Sequence, residues 1–219
     1  MIESTHSPPP SRGARASLVA ALVAAAAALG AAVPSPTLAQ DVTNGSLLVA
    51  APALSDPNFA RTVLLVLRTD ENGALGVILN RPTNLEPGVV FPELKEGLGT
   101  YDGRLYRGGP VSPTQLLFLV RGLAAATVNG PEVLEKVFLS IDADSLGEMT
   151  RLAHGTDELR VYAGHAAWAP GQLEAEVRAG GWEIVPGTAD LVFSTDPGEL
   201  WNQLEGRGGR GSNVVADAR

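Results

Sequence analysis

The hydrophobic pattern of this 219-residue chain alternates short apolar runs with turn-forming residues, and long helical stripes are few. Leu47 to Ala51 is apolar without interruption, as expected of a buried strand, and Ser55-Asp56-Pro57-Asn58 then reads as a turn or a single helical turn. Thr62 to Leu67 (TVLLVL) is continuous and rich in branched residues, which predicts a central strand buried on both faces. Thr69 to Gly73 forms a hairpin loop into a second apolar strand, Ala74 to Leu79, which Pro82 stops. Residues 83–103 lack a clear period apart from a short helix at Phe91 to Leu98. Further strands are expected at Arg104 to Arg107, Gln115 to Val120, Lys136 to Ile141, Leu159 to Ala163, Trp182 to Val185 and Leu191 to Phe193.

Helices are fewer. Asp142 or Asp144 can cap one that carries Leu146, Met149 and Leu152 on a single face and ends at Gly155. A second runs from Gly171 to Arg178, and Asp196-Pro197 opens a last one with Leu200, Trp201 and Leu204. Strands outnumber helices and do not alternate regularly with them, which predicts an α+β protein.

The N-terminus has a different character. Arg12 and Arg15 precede an uncharged stretch from Ala16 to Val33, followed by Pro34 and Thr37-Leu38-Ala39 before Gln40. That order of basic, apolar and small residues is the pattern of a secretory signal cleaved after Ala39. It implies an exported, periplasmic protein. An uncleaved membrane anchor is the alternative, since eighteen uncharged residues approach the ~20 that span a bilayer. A misassigned start, leaving the protein cytoplasmic, is another. The expected organisation is an export segment at 1–39, one domain at 40–205, and a Gly- and Arg-rich disordered tail at 206–219.

Charge and composition narrow the function classes. The formal net charge is −8, and removing the net +1 of residues 1–39 (Arg12 and Arg15 against Glu3) leaves −9. Such a surface repels phosphate backbones, which argues against direct DNA binding. With no cysteine in the chain, disulfide partners, thiolate metal sites and cysteine nucleophiles are excluded. No nucleophile elbow, Walker loop, metal-spaced histidine cluster or dinucleotide-binding glycine motif is present, so no cofactor or metal is expected.

Four blocks stand out: GSLLVAAPALSDPNFARTVLLV (Gly45 to Val66), GALGVILNRP (Gly73 to Pro82), GGPV (Gly108 to Val111) and GHAAWAPGQLEAEVRAGGW (Gly164 to Trp182). In this order they resemble the AlgH/YqgE family, over about Gly45 to Glu205. The resemblance implies a strongly bent or barrel-like mixed sheet flanked by helices, and it brings a label of transcriptional regulator but no defined activity. It also shows departures. His165 stands where the family more often has Tyr, Thr69 replaces a usual His after the second strand, and no His occurs near Val120-Arg121.

Two groups of residues are candidates for binding. In the last block, Trp168 and Trp182 can plug the gap between sheet and helix, with Glu174 and Glu176 solvated. Alternatively, freed amides near Gly171-Gln172-Leu173 hold an anion, with Trp168 as a pocket wall and Gln172 and Glu174 beside it. In the second group, Asp56, Arg61, Asn80 and Arg81 lie at hairpin ends that should meet. They form either a buried network, with Asp56 capping amides and pairing an arginine, or a two-arginine clamp for a carboxylate or phosphate. A non-enzymatic binding or regulatory module, acting on a small anion or a protein partner, fits these features best. An enzyme acting on a small anionic ligand and a transcriptional regulator are the alternatives. If residues 1–39 are an export signal, the exported protein is expected to begin at Gln40. N-terminal sequencing or intact mass checks this, and full-length protein in the cytosol would contradict it.

Overall fold

The computed structural model describes residues 41–208. The expected export segment and nearly all of the expected tail lie outside this range. Nine strands join in one sheet: β1 (Ser46–Ala50), β2 (Val63–Asp70), β3 (Gly73–Ile78), β4 (Leu105–Arg107), β5 (Val111–Arg121), β6 (Glu132–Leu134), β7 (Val137–Ser140), β8 (Leu159–Trp168) and β9 (Trp182–Pro186). Their order is β6-β7-β5-β8-β3-β2-β1-β9, with β4 paired parallel to β8 and every other named pair antiparallel. The helices are short: α1 (Pro87–Val90), α2 (Lys95–Leu98), α3 (Ala125–Val128), α4 (Leu146–Leu152), α5 (Gln172–Arg178), α6 (Ala189–Val192) and α7 (Leu200–Leu204). None is long and apolar enough to cross a membrane.

This is an α+β fold with a curled, half-barrel sheet flanked by helices. The curl can be read from contacts between strands far apart in the sheet order. Leu134 on terminal strand β6 packs beside Gly45, just before β1, and Gly187, just after β9. A Cβ at Gly45 would lie 2.9 Å from the Val133 carbonyl oxygen, and Gly45 has φ +81°, so glycine is required twice over where the sheet returns on itself.

Alternation along the strands sorts the side chains into two cores. On β8, Leu159 and Val161 join Phe118, Val120, Leu146 and Met149 in a cluster under α2 and α4. Tyr162, Ala166 and Trp168 belong to the larger cluster with Leu47, Leu65 and Val77. A one-residue slip in β8 would exchange the two sets, so burial on both faces fixes the register.

The β2–β3 hairpin closes through Asp70 and Gly73, and its far ends meet as the sequence predicts. Three expectations change. Leu191 to Phe193 is not a strand: α6 occupies it, because the Thr188 hydroxyl accepts from Leu191 N and starts a helical turn. Strand β8 continues past Ala163 to Trp168, with Gly164 at φ +73° absorbing the irregularity. Strand β6 and helix α3 occur where no element was expected.

Gly108 sits where β4 runs against β8. Its N–H donates to Ala163 O at 2.8 Å, and its carbonyl accepts from Ile78 N at 2.8 Å. A Cβ there would run into the Gly164 carbonyl oxygen and backbone that cannot yield. Gly108→Ala is therefore expected to cost about 3 kcal/mol, the upper part of the overpacking range. Gly147→Ala, helical and with only Gly97 Cα at 3.8 Å, is expected to be neutral or stabilising by ~0.5–1 kcal/mol. Urea midpoints of the two variants check the contrast.

Candidate functional site

The loop from Asp56 to Arg61 leaves β1 and re-enters the sheet at β2. Asp56 Oδ1 accepts from Asn58 N at 2.8 Å, and the Asp56 carbonyl accepts from Phe59 N and Ala60 N at 2.9 and 2.7 Å. Thr62 Oγ1 closes the turn by donating to Phe59 O at 2.7 Å. Asn80, 8 % exposed, locks the loop to the sheet: its Oδ1 accepts from Val63 N at 2.9 Å and its Nδ2 donates to Arg61 O at 2.9 Å. Arg61 adopts φ +56°, which the Asn80 bond holds in place.

Three exposed arginines are carried by this loop or bonded to it. Arg61 lies 4.2 Å over the Trp201 ring and donates to Asn202 Oδ1 at 2.7 Å. Arg81 donates to Ala60 O at 2.6 Å, and Arg107 to Asn58 Oδ1 at 3.3 Å. The backbone ties the last two together, since Arg107 N donates to Arg81 O at 2.9 Å. Among the described residues none of the three pairs with a carboxylate; the arginine ion pairs present join Arg68 to Asp70, Arg121 to Asp190 and Arg151 to Glu148.

The expected buried network is thus corrected in two respects. Asp56 caps an amide as foreseen but binds no arginine, and the arginines are exposed. Their hydrogen-bond partners are neutral oxygens, although Asn202, the partner of Arg61, in turn donates to Glu199 Oε2 at 2.6 Å.

Phe59 joins this loop to the second candidate group. Its ring stacks on Trp168 (centroids 6.4 Å apart) and meets Trp182 edge-on at 5.7 Å. Trp168 and Trp182 lie edge to face at 6.2 Å and are 5 % and 4 % exposed. Both indole N–H groups donate to the same atom, Glu176 Oε2, at 3.0 and 2.9 Å. Gln172 completes the arrangement, donating from Nε2 to Glu176 Oε1 at 2.9 Å and accepting from Ala169 N at 3.1 Å.

Glu176 is therefore not the solvated residue its position suggests. A buried indole requires an acceptor, and one carboxylate on α5 serves two. Glu174 and Gly171 are exposed, Gly171 at φ +75°, and Trp168 is packed within the aromatic cluster.

Trp168, Gly171, Gln172 and Glu174 lie outside three clefts of the described surface. The first, about 490 Å³, is bordered by Arg121, Lys136, Glu135 and Glu158. In the second, about 360 Å³, lies Arg160, 3 % exposed. Its guanidinium donates to Val192 O and Ser194 O and sits 5.2 and 5.5 Å from the Tyr106 and Phe193 rings. It pins the C-terminal end of α6, where helix carbonyls point outward and favour a cation. Beside it the Tyr162 hydroxyl has no hydrogen-bond partner among the described residues, and burial pushes its pKa up. The third cleft, about 410 Å³, is apolar and includes Arg107.

Neither histidine is hydrogen-bonded to Arg61, Arg81 or Arg107 among the described residues. His154 Nδ1 pairs with Glu158 Oε2 at 2.8 Å, instead of reaching the carbonyls at the end of α4. Partial burial holds the His165 imidazole below its usual pKa. Sequence reasoning overlooked Arg107 and Phe59; the GGPV turn directly after Arg107 was the available signal.

The fold and these sites define a small α+β protein with one curled sheet, an arginine rim and an aromatic anchor. The chain belongs to the AlgH-like family, which matches residues 47–210. It is 39 % identical to a UPF0301 protein of Streptomyces coelicolor over 170 residues, covering 73 % of this chain and 83 % of that one. It is 38 % identical to a UPF0301 protein of Myxococcus xanthus over 182 residues, covering 76 % and 96 %. A crystal structure of a Corynebacterium diphtheriae protein matches with TM-score 0.64 and 28 % identity, over 75 % of this chain and 86 % of that one. The solution structure of AlgH from Pseudomonas aeruginosa matches with TM-score 0.57 and 27 % identity, over 79 % and 90 %. The biochemical activity of this family is unknown, and these names state no substrate.

The aromatic cluster makes unequal demands on its members. Trp168→Ala is expected to cost ~3–5 kcal/mol, the range for removing a large core aromatic. Glu176→Ala strands two indole donors at ~1–3 kcal/mol each. Glu176→Gln, which keeps one acceptor oxygen, should lose clearly less. Denaturant melts followed by tryptophan fluorescence check this order.

Proposed function

We propose that this protein is a non-enzymatic binding module that holds a carboxylate or phosphate group on the rim of Arg61, Arg81 and Arg107. The observation that carries this reading is the set of neutral partners these arginines have in a chain of net charge −8. Each guanidinium has five N–H donors in a planar fork, so several remain for an incoming anion. The rim is also held in place before any ligand arrives. Trp201 supports Arg61, Asn80 fixes the loop, and Phe59 anchors it to the two tryptophans. Preorganisation of this kind lowers the ordering cost of binding.

Binding is favoured over catalysis because, among the described residues, the rim offers donors and positive charge but no base hydrogen-bonded to a nucleophile. The anion is a small molecule or a group on a protein partner. DNA is disfavoured by the acidic balance, since three arginines release few counterions against a charge of −8. We place the protein in the periplasm on the pattern of residues 1–39, with a membrane-anchored or cytoplasmic location as the alternatives.

Titration of the purified protein with inorganic phosphate and with succinate at low salt tests the rim. Amide signals of Asn58 to Arg61 are expected to shift. Arg81→Gln should weaken binding about tenfold, the loss of roughly one charge-assisted hydrogen bond. Shifts spread over the surface and unchanged in Arg81→Gln would overturn the reading.

A further inference from the structure

Arg107 belongs to two features at once. Its guanidinium joins the rim through Asn58, and the residue also lines the apolar groove of about 410 Å³. Phe91, Leu105, Pro110, Pro113 and Ala163 supply walls of that groove, and Arg107 is the one charged residue among those lining it. The surroundings are apolar as well. Leu85 (50 % exposed), Val90 (40 %) and Val111 (38 %) are large apolar side chains left in water, and they lie in or beside the wall-forming segments. Such a concentration of exposed apolar groups marks a binding surface more often than isolated ones do.

We propose that the groove takes the apolar body of a small monocarboxylate, such as a medium-chain fatty acid, whose carboxylate is bound by Arg107. The inference rests on the rim being an anion site and adds the class of its ligand. Charge complementarity selects this occupant: one arginine on an otherwise uncharged groove matches a single negative charge on an apolar body. The volume falls within the range of small-molecule sites. An extended peptide fits less well, because the outer edge of β4 is already covered. Thr83 N donates to Leu105 O, Leu105 N to Leu85 O and Arg107 N to Arg81 O, at 2.9, 2.8 and 2.9 Å, which leaves β4 no free edge for an added strand.

Calorimetric and NMR titrations of the purified protein with decanoate (below its micellar concentration), acetate and decanol test this. Decanoate is expected to bind at least tenfold more tightly than acetate and to shift the amides of Val90 and Phe91. Arg107→Gln and Val90→Asp should each weaken it about tenfold; Val90 is exposed, so its variant should still fold. Equal binding of decanoate and acetate at the rim would overturn the groove and leave the rim reading standing. Decanol binding as well as decanoate would overturn the role of Arg107. Absence of binding by decanoate, acetate, phosphate and succinate alike would overturn both readings together.

Discussion

Two tryptophans that share one carboxylate oxygen hold the curl of the sheet. Trp168 is on β8 and Trp182 on β9, and β3, β2 and β1 lie between them in the sheet order. In a flat sheet those positions would be at least about 19 Å apart, four strand spacings of ~4.8 Å. Their ring centroids are 6.2 Å apart, so the sheet must bend towards the cluster and the largest side chains must fill what remains. Small residues make the room: Ala50 is opposite Trp182 and Ala74 opposite Trp168, while a Cβ at Gly76 would lie 3.2 Å from the Trp168 ring. Glu176 then satisfies both indoles from α5, coupling helix position to sheet curvature.

What could be read from the sequence follows the range of each interaction. The β2–β3 hairpin and the apolar strands were legible because turn residues and local hydrophobic runs specify them within a few positions. The α6 segment was not. Its apolar Leu191-Val192-Phe193 suits a strand as well as a short buried helix, and periodicity cannot separate the two over so few residues. The deciding contacts are the Thr188 cap and the bonds from Arg160 on β8, the latter more than thirty positions away in the chain. Glu176 shows the same limit. Its charge and helical position suggest water, whereas the demand for an acceptor comes from Trp168 and Trp182, which only the fold brings together. The meeting of the hairpin ends followed from the β2–β3 turn and brings Asn80 to Arg61 and Arg81 to Ala60, but Arg107 joins Arg81 only through the non-local bridge of Pro82 to Tyr106.

The arginines of this acidic protein have two different roles. Arg160 is buried against two aromatic rings and two carbonyls, one at the end of α6 and one just beyond it, so its charge contributes to the fold. Arg61, Arg81 and Arg107 are exposed, and each bonds to a neutral oxygen. Surface ion pairs add little stability, so carboxylate partners there would gain the fold almost nothing while competing with an incoming anion.

That difference separates the architecture from the proposed recognition. The aromatic cluster sets the curvature and is costly to disturb, whereas the loop that carries Arg61 is tied to the core through Phe59, Asn80 and the Arg61–Trp201 contact. Asn80 shows how the attachment works. By accepting from Val63 N and donating to Arg61 O, it extends the strand pairing by one side chain and holds the loop at a fixed height above the sheet. The guanidiniums thereby gain a rigid base without entering the core. On the proposed reading, losing Arg81 or Arg107 should weaken anion binding and leave the aromatic cluster intact, because neither takes part in the contacts among Phe59, Trp168, Trp182 and Glu176.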